Sequence, residues 1–186
     1  MRRAISFVSV LAALVAVACS GSGTPGVSSA TTNPASYEET ETTVRAAAAI
    51  ADASGTTVGL ATFRETRLGV RVEVSAVGLP SGTHALDIRA TGKCEAPDFA
   101  TAGPVLNTNG GQPGVPGAPG SQAGALPAIQ VGADGKGSLL SYSPHLSLNP
   151  AASNSLLFGA GTAVVVHAAA DGGASIACGV VKKVSS

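Results

Sequence analysis

The chain has 186 residues and a balanced formal charge, eleven basic side chains against eleven acidic, with 45% hydrophobic residues and only 3% aromatic ones. That length leaves room for one domain of about 100 to 150 residues once a leader and a polar linker are set aside, and the lack of a basic cluster argues against a nucleic-acid partner. With 24 glycines and 11 prolines beside abundant Val, Thr, Ser and Ala, the composition suits short strands joined by many turns better than long helices.

In chain order, Met1-Arg2-Arg3 precedes a largely apolar run from Ala4 to Ala18, and Cys19 follows, then Ser20-Gly21-Ser22-Gly23. A short basic region and an apolar stretch too short to span a bilayer describe an export signal, residues 1–18. Ala16-Val17-Ala18-Cys19 resembles a bacterial lipobox, although Ala16 stands where Leu is usual. The Cys19 thiol is therefore the expected site of lipidation, and acyl chains acting together anchor a protein firmly to a membrane. Residues 19–43, rich in Ser, Thr, Gly and Pro and ending in an acidic stretch around Glu38, Glu39 and Glu41, read as the lipidated cysteine and a disordered tether.

From residue 44 the hydrophobic period shifts toward two. Val44–Asp52, Thr57–Arg64, Gly69–Leu79 and Thr83–Ala90 read as strands, separated by Ser54-Gly55, Thr66-Arg67-Leu68 and Leu79-Pro80-Ser81-Gly82. Ala128–Gly132 and Gly137–Tyr142 flank a hairpin turn at Asp134-Gly135, and Thr162–Ala168 and Ile176–Val184 complete a set of eight. The expected fold is all-β, an eight-stranded Greek-key sandwich or barrel spanning residues 44–186. Gly159-Ala160-Gly161 is too short for a phosphate loop and precedes a strand, not a helix.

Two segments carry a specific resemblance. Gly82-Thr83-His84-Ala85-Leu86-Asp87-Ile88-Arg89 runs on to Gly92-Lys93-Cys94, and Val165-Val166-His167 runs on to Ala177-Cys178-Gly179. Together they resemble the Cu/Zn superoxide dismutase family, whose copper-site signature reads Gly-x-His-Gly-x-His-x-His followed by Gly-x-Cys. The resemblance implies a disulfide between Cys94 and Cys178, the even pair left once Cys19 is assigned to lipid. It also implies that the metal ligands are mostly replaced. Asp87 and Arg89 stand at the first two copper-histidine positions. Thr101-Ala102-Gly103-Pro104-Val105-Leu106-Asn107 places Val105 at the bridging histidine, and Gln122-Ala123-Gly124-Ala125-Leu126-Pro127 places Gln122 and Ala125 at a zinc-binding histidine and aspartate. Only His167 keeps a ligand position, while His84 matches a histidine that supports the fold beneath the copper and His145 lies outside every ligand motif. The guiding arginine expected three residues before Cys178 is Ser175, and only six residues separate Asp171 from Cys178 where the family usually carries a longer loop.

A copper centre that cycles between two oxidation states needs several imidazoles, and the chain has three histidines in all. No catalytic residue and no copper or zinc are therefore expected. Asp87 and Arg89, two apart on a strand, project to one face, where an ion pair could fill the vacated pocket or simply reach solvent. The expected function is a superoxide dismutase-like lipoprotein anchored to a bacterial membrane, in the periplasm or at the cell surface. It would act as a binding or structural module toward an envelope partner, as a monomer or a homodimer. The alternatives are an active dismutase with a reduced metal site that holds copper and zinc, for instance one using His167, Asp87 and His84, and a metal-carrying chaperone.

Overall fold

A computed structural model describes residues 45–116 and 118–184. The export signal, Cys19 and the tether up to residue 43 lie outside the described residues. Alternation of apolar and polar side chains builds the sheet: β1 (Arg45–Asp52) buries Ala46, Ala48 and Ile50, and β3 (Gly69–Val77) buries Val70, Val72, Val74 and Ala76 while Arg71, Glu73, Ser75 and Val77 face outward. The other strands among the described residues are β2 (Thr57–Thr66), β4 (Gly82–Arg89), β5 (Ala125–Val131), β6 (Lys136–Ser143), β7 (Ala163–Ala169), β8 (Gly172–Val180) and β9 (Lys182–Val184), with a 3-10 turn at Ala100–Ala102.

The strands pair antiparallel in the order β2-β3-β6-β5-β4-β7-β8-β1, and β1 pairs again with β2, so the sheet closes into an eight-stranded barrel. β9 continues β8 beyond Val181. The end of β1 pairs with β8 through Ala51 and Cys178, and its beginning pairs with β9 through Arg45 and Val184. Among the described residues, closure leaves no long unpaired edge in a sheet whose strands are rich in Val and Ala.

Two expected boundaries are corrected. β5 starts at Ala125, not Ala128, although Pro127 lies inside it. The β4 pairing shifts register between His84 and Leu86, opposite Pro127, and a bulge of this kind tolerates a residue without an N–H. β8 starts at Gly172, not Ile176, because Gly172 and Gly173 adopt φ of 105° and 75° and close a tight turn after Ala169. The segment between Asp171 and Cys178 is therefore strand, and Ser175 is paired with His167 instead of lying in a loop.

β7 is buried along Ala163–His167 on both of its faces. Val164 and Val166 join the barrel core with Phe63, Leu86, Ile88 and Ile129, while Ala163 and Val165 pack outside it against Phe99, Ala102 and Cys178. A second layer, the loop following β4, thus covers this strand, and the disulfide between Cys94 and Cys178, with an S–S distance of 1.98 Å, fastens that layer to β8.

Backbone bonds then gather the segments that matter for the site. Ile88 N–H donates to Gly124 O at 2.7 Å, Leu106 N–H to Ile88 O at 2.8 Å, and Gly124 N–H to Leu106 O at 2.8 Å. This three-way junction places residues 105, 122 and 125 beside the end of β4. Only glycine fits at its centre, because a Cβ on Gly124 would stand 2.4 Å from Ile88 O and 2.9 Å from Leu106 Cβ. Gly124→Val is expected to lose about 1 to 3 kcal/mol through overpacking, read as a lower urea midpoint. An unchanged midpoint would show that the junction can spread.

Candidate functional site

Asp87 and Arg89 project from the side of β4 opposite the buried His84, Leu86 and Ile88. They do not simply reach solvent, since each side chain is only 20% exposed. Arg89 Nη2 donates to Asp87 Oδ2 at 2.8 Å, and its Nη1 donates to Gly103 O at 3.2 Å. The pairing of Leu86 with Val166 brings β7 alongside β4, and His167 Nε2 lies 2.9 Å from Asp87 Oδ2 and 3.0 Å from Arg89 Nη2. That nitrogen donates to the carboxylate or accepts from the guanidinium according to the ring's tautomer, and either choice completes a triangle of three side chains. His167 Nδ1 faces Gly173 O at 3.3 Å.

The guanidinium thus links β4, β7 and the loop at Gly103, three parts of the chain. Arg89 Nε is buried without a partner among the described residues, a cost that the Nη contacts to Asp87 and Gly103 offset. His84 lies deeper, with Nδ1 2.8 Å from His167 O and Nε2 2.8 Å from Pro80 O, so its ring ties β4 to the strand that carries His167 and to the preceding turn. His145 is exposed on the loop after β6 and joins none of this.

Asp87, Val105, Gln122 and Ala125 line one open cleft of about 390 Å³, so four of the positions read as replaced ligands do converge in space. The rest of the wall is mainly Ala, Pro and Gly, and Asp171 stands at the β7–β8 turn on its edge. The loop following the junction forms the far rim. It is pinned by Gln112 N–H to Gly120 O at 2.7 Å and Gln122 N–H to Gln112 O at 3.2 Å, and by Asn109 Nδ2 to Ser121 O at 2.8 Å. Sequence reasoning missed the carbonyls of Gly103 and Gly173 and the position of Asp171. Nothing in residue type marks a backbone acceptor, whereas an aspartate beside two glycines was a usable sign of a tight turn.

Residues 57–181 match the family model described as copper/zinc superoxide dismutase. The chain belongs to the copper/zinc superoxide dismutase family. A Cu-Zn superoxide dismutase of Aquifex aeolicus is 31% identical over 149 residues, covering 75% of this chain and 87% of that protein, and one of Caulobacter vibrioides is 34% identical over 148 residues, covering 74% and 85%. The superoxide dismutase-like protein YojM of Bacillus subtilis is 33% identical over 121 residues, 60% of this chain and 62% of that protein. Among solved structures, a SOD-like protein from Bacillus subtilis matches with a TM-score of 0.66 and 29% identity, covering 72% of this chain and 96% of that one. The Cu/Zn superoxide dismutase of Brucella abortus, 22% identical with a TM-score of 0.59 over 74% and 99% of the two chains, shares the fold.

The family's metals do not fit the residues present at this site. Val105 and Ala125 offer no donor atom, and Gln122 offers only a neutral amide. The one imidazole in place, His167, already has Nε2 against a carboxylate and a guanidinium. A cation such as copper would have to displace the Arg89 charge from 3.0 Å away. His84, the third member of a conceivable rearranged set, has both ring nitrogens against backbone carbonyls. Among the described residues no three His, Cys, Asp or Glu side chains are arranged to hold a metal ion.

Proposed function

We propose that this chain is a superoxide dismutase-like lipoprotein of the bacterial cell envelope that binds neither copper nor zinc, does not dismutate superoxide, and serves as a binding or structural module. The observation that carries the reading is the contact of Arg89 Nη2 with both Asp87 Oδ2 and His167 Nε2. A permanent cation stands where the family resemblance calls for copper ligands, and redox cycling needs a metal that three converging imidazoles would hold. The lipobox-like Ala16-Val17-Ala18-Cys19 supports the anchor, with the thiol of Cys19 as the lipidated group.

Two measurements test this. Mass spectrometry of the purified protein, after incubation with copper and zinc and exhaustive buffer exchange, is expected to find far less than one metal per chain, with superoxide decay at the buffer rate. A value near one copper per chain with accelerated decay would overturn the reading in favour of an active dismutase. Metabolic labelling with a radioactive fatty acid is expected to mark the wild-type protein in bacterial membranes and to be lost in Cys19→Ala, and a soluble, unlabelled wild-type protein would remove the anchor.

A further inference from the structure

We infer that the acidic stretch Glu38–Glu41 docks on a row of arginines across the outer face of β1, β2 and β3. The register sets Arg45 opposite Arg64 and Arg64 opposite Arg71. All three point away from the core, since their chain neighbours Ala46, Phe63, Val70 and Val72 are buried. Neighbouring strands lie about 4.8 Å apart, so the row is about 10 Å wide. The sequence shows no basic cluster because the three arginines come from three strands. Val184 stands opposite Arg45 and Tyr142 opposite Arg71, so apolar side chains bound the row at both ends.

Like charges directly opposite one another on a sheet are destabilising, so the row calls for carboxylates. Glu73 supplies one, bonded to Arg71 Nη2 at 2.6 Å, yet Arg71 Nε stays buried without a partner among the described residues. Glu65, next to Arg64 in the chain, is engaged by Ser147 Oγ and Leu148 N–H on the loop after β6. The acidic groups that precede β1 are Glu38, Glu39 and Glu41. Between Arg3 and Arg45 they are the only charged side chains, and they stand four to seven residues before Arg45. Seven residues reach at most about 25 Å, more than twice the width of the row, so each glutamate can meet a guanidinium. The short connection makes the contact intramolecular, with an effective concentration of about millimolar that a separate anion would have to exceed. Carboxylate and guanidinium also match in geometry, pairing through two parallel hydrogen bonds. Beside a lipid anchor, as in the proposed function, docking would screen the row from the anionic headgroups that attract such side chains. The docking itself depends on neither the anchor nor the absence of metal.

The test is two-dimensional NMR of the isotope-labelled protein, wild type and Glu38→Gln/Glu39→Gln/Glu41→Gln, read at the Nε–H signals of the arginines. The substitutions are expected to shift Arg45, Arg64 and Arg71 and to leave Arg89, on β4, where it was. Sodium chloride at about 1 M, where the screening length falls to about 3 Å, is expected to move the wild-type signals toward those of the variant and to change the variant little. Reciprocally, Arg64→Gln, an outward change that leaves the core intact, is expected to shift the amides of residues 38–41. Unmoved Arg64 and Arg71 signals, or a shift confined to Arg45 as the neighbour in sequence, would overturn the inference. So would phosphatidylglycerol vesicles that shift the wild-type arginines more than the glutamine substitutions do, since the row would then belong to a lipid surface. The same samples are assayed for copper and zinc uptake, which bears on the metal-free reading alone.

Discussion

Asp87→Ala is expected to lower stability by about 1 to 3 kcal/mol, the cost of leaving a largely buried charge without its counterion. The loss falls on Arg89, whose Nη2 would keep only the imidazole of His167 as a neighbour, and whose Nε already lacks a partner. For a domain of this size a change of that order moves Tm by several degrees. The outer-face pair of Arg71 and Glu73, 2.6 Å apart, supplies the control. Glu73 is 42% exposed against 20% for Asp87, so water screens more of its charge, and Glu73→Ala is expected to cost less than Asp87→Ala, although Arg71 is itself only 23% exposed and its buried Nε lacks a partner among the described residues. Removing both charges in Asp87→Ala/Arg89→Leu should recover much of the loss, because a pair replaced by apolar groups does not strand a charge. An unchanged Tm in Asp87→Ala, or strictly additive losses in the double variant, would show that the triangle contributes no more than a surface pair.

How much of this could be read from the chain depends on whether the deciding interaction is local. The alternating valines of β3 need only a two-residue period, and the hairpin at Asp134-Gly135 needs only turn chemistry, with Gly135 at φ 73°. The same-face placement of Asp87 and Arg89 follows from strand geometry. Their contact with His167 does not, since it requires the register of β4 against β7 across 80 residues. The unbroken apolar run Ala163–Val166 is a clear strand, yet only the packing of Phe99 and Ala102 outside it shows why both faces are apolar. The start of β8 escaped because Gly172 and Gly173 suggest a loop, when they serve a tight turn. The size of the cleft escaped entirely, since it depends on how Gly111 and Gly124 pack against backbone far away in sequence.

Charge pairing and covalent bonding both fasten the loop that follows β4. Here Arg89 reaches Gly103 O from one side, and the Cys94–Cys178 bond fixes the same loop from the other. Both act on the stretch from Ala90 to Pro104, whose backbone is held to itself by Thr91 N–H to Ala102 O and Ala90 N–H to Pro104 O. Loosening one attachment should therefore weaken the other.

That coupling makes the disulfide the most consequential bond to remove. Cys94→Ala/Cys178→Ala is expected to lose about 4 to 5 kcal/mol in the chain-entropy description, because the bond closes a loop with a sequence separation of 84. Urea unfolding should show a lower midpoint together with a steeper m-value, since the freed denatured chain expands and exposes more surface. A drop in midpoint at constant m would instead place the loss in the folded state, in the packing of Phe99 and Ala102 on β7. Asp87→Ala introduced into the disulfide-free background should then cost less than it does in the wild type, because Arg89 would already have lost part of its hold on Gly103. Neighbouring interactions of this kind typically couple by about 0.5 to 3 kcal/mol. An unchanged midpoint without the disulfide, or full additivity of the two changes, would mean that the loop is held by its apolar contacts alone, and that Arg89 stabilises β4 and β7 without help from the covalent bond.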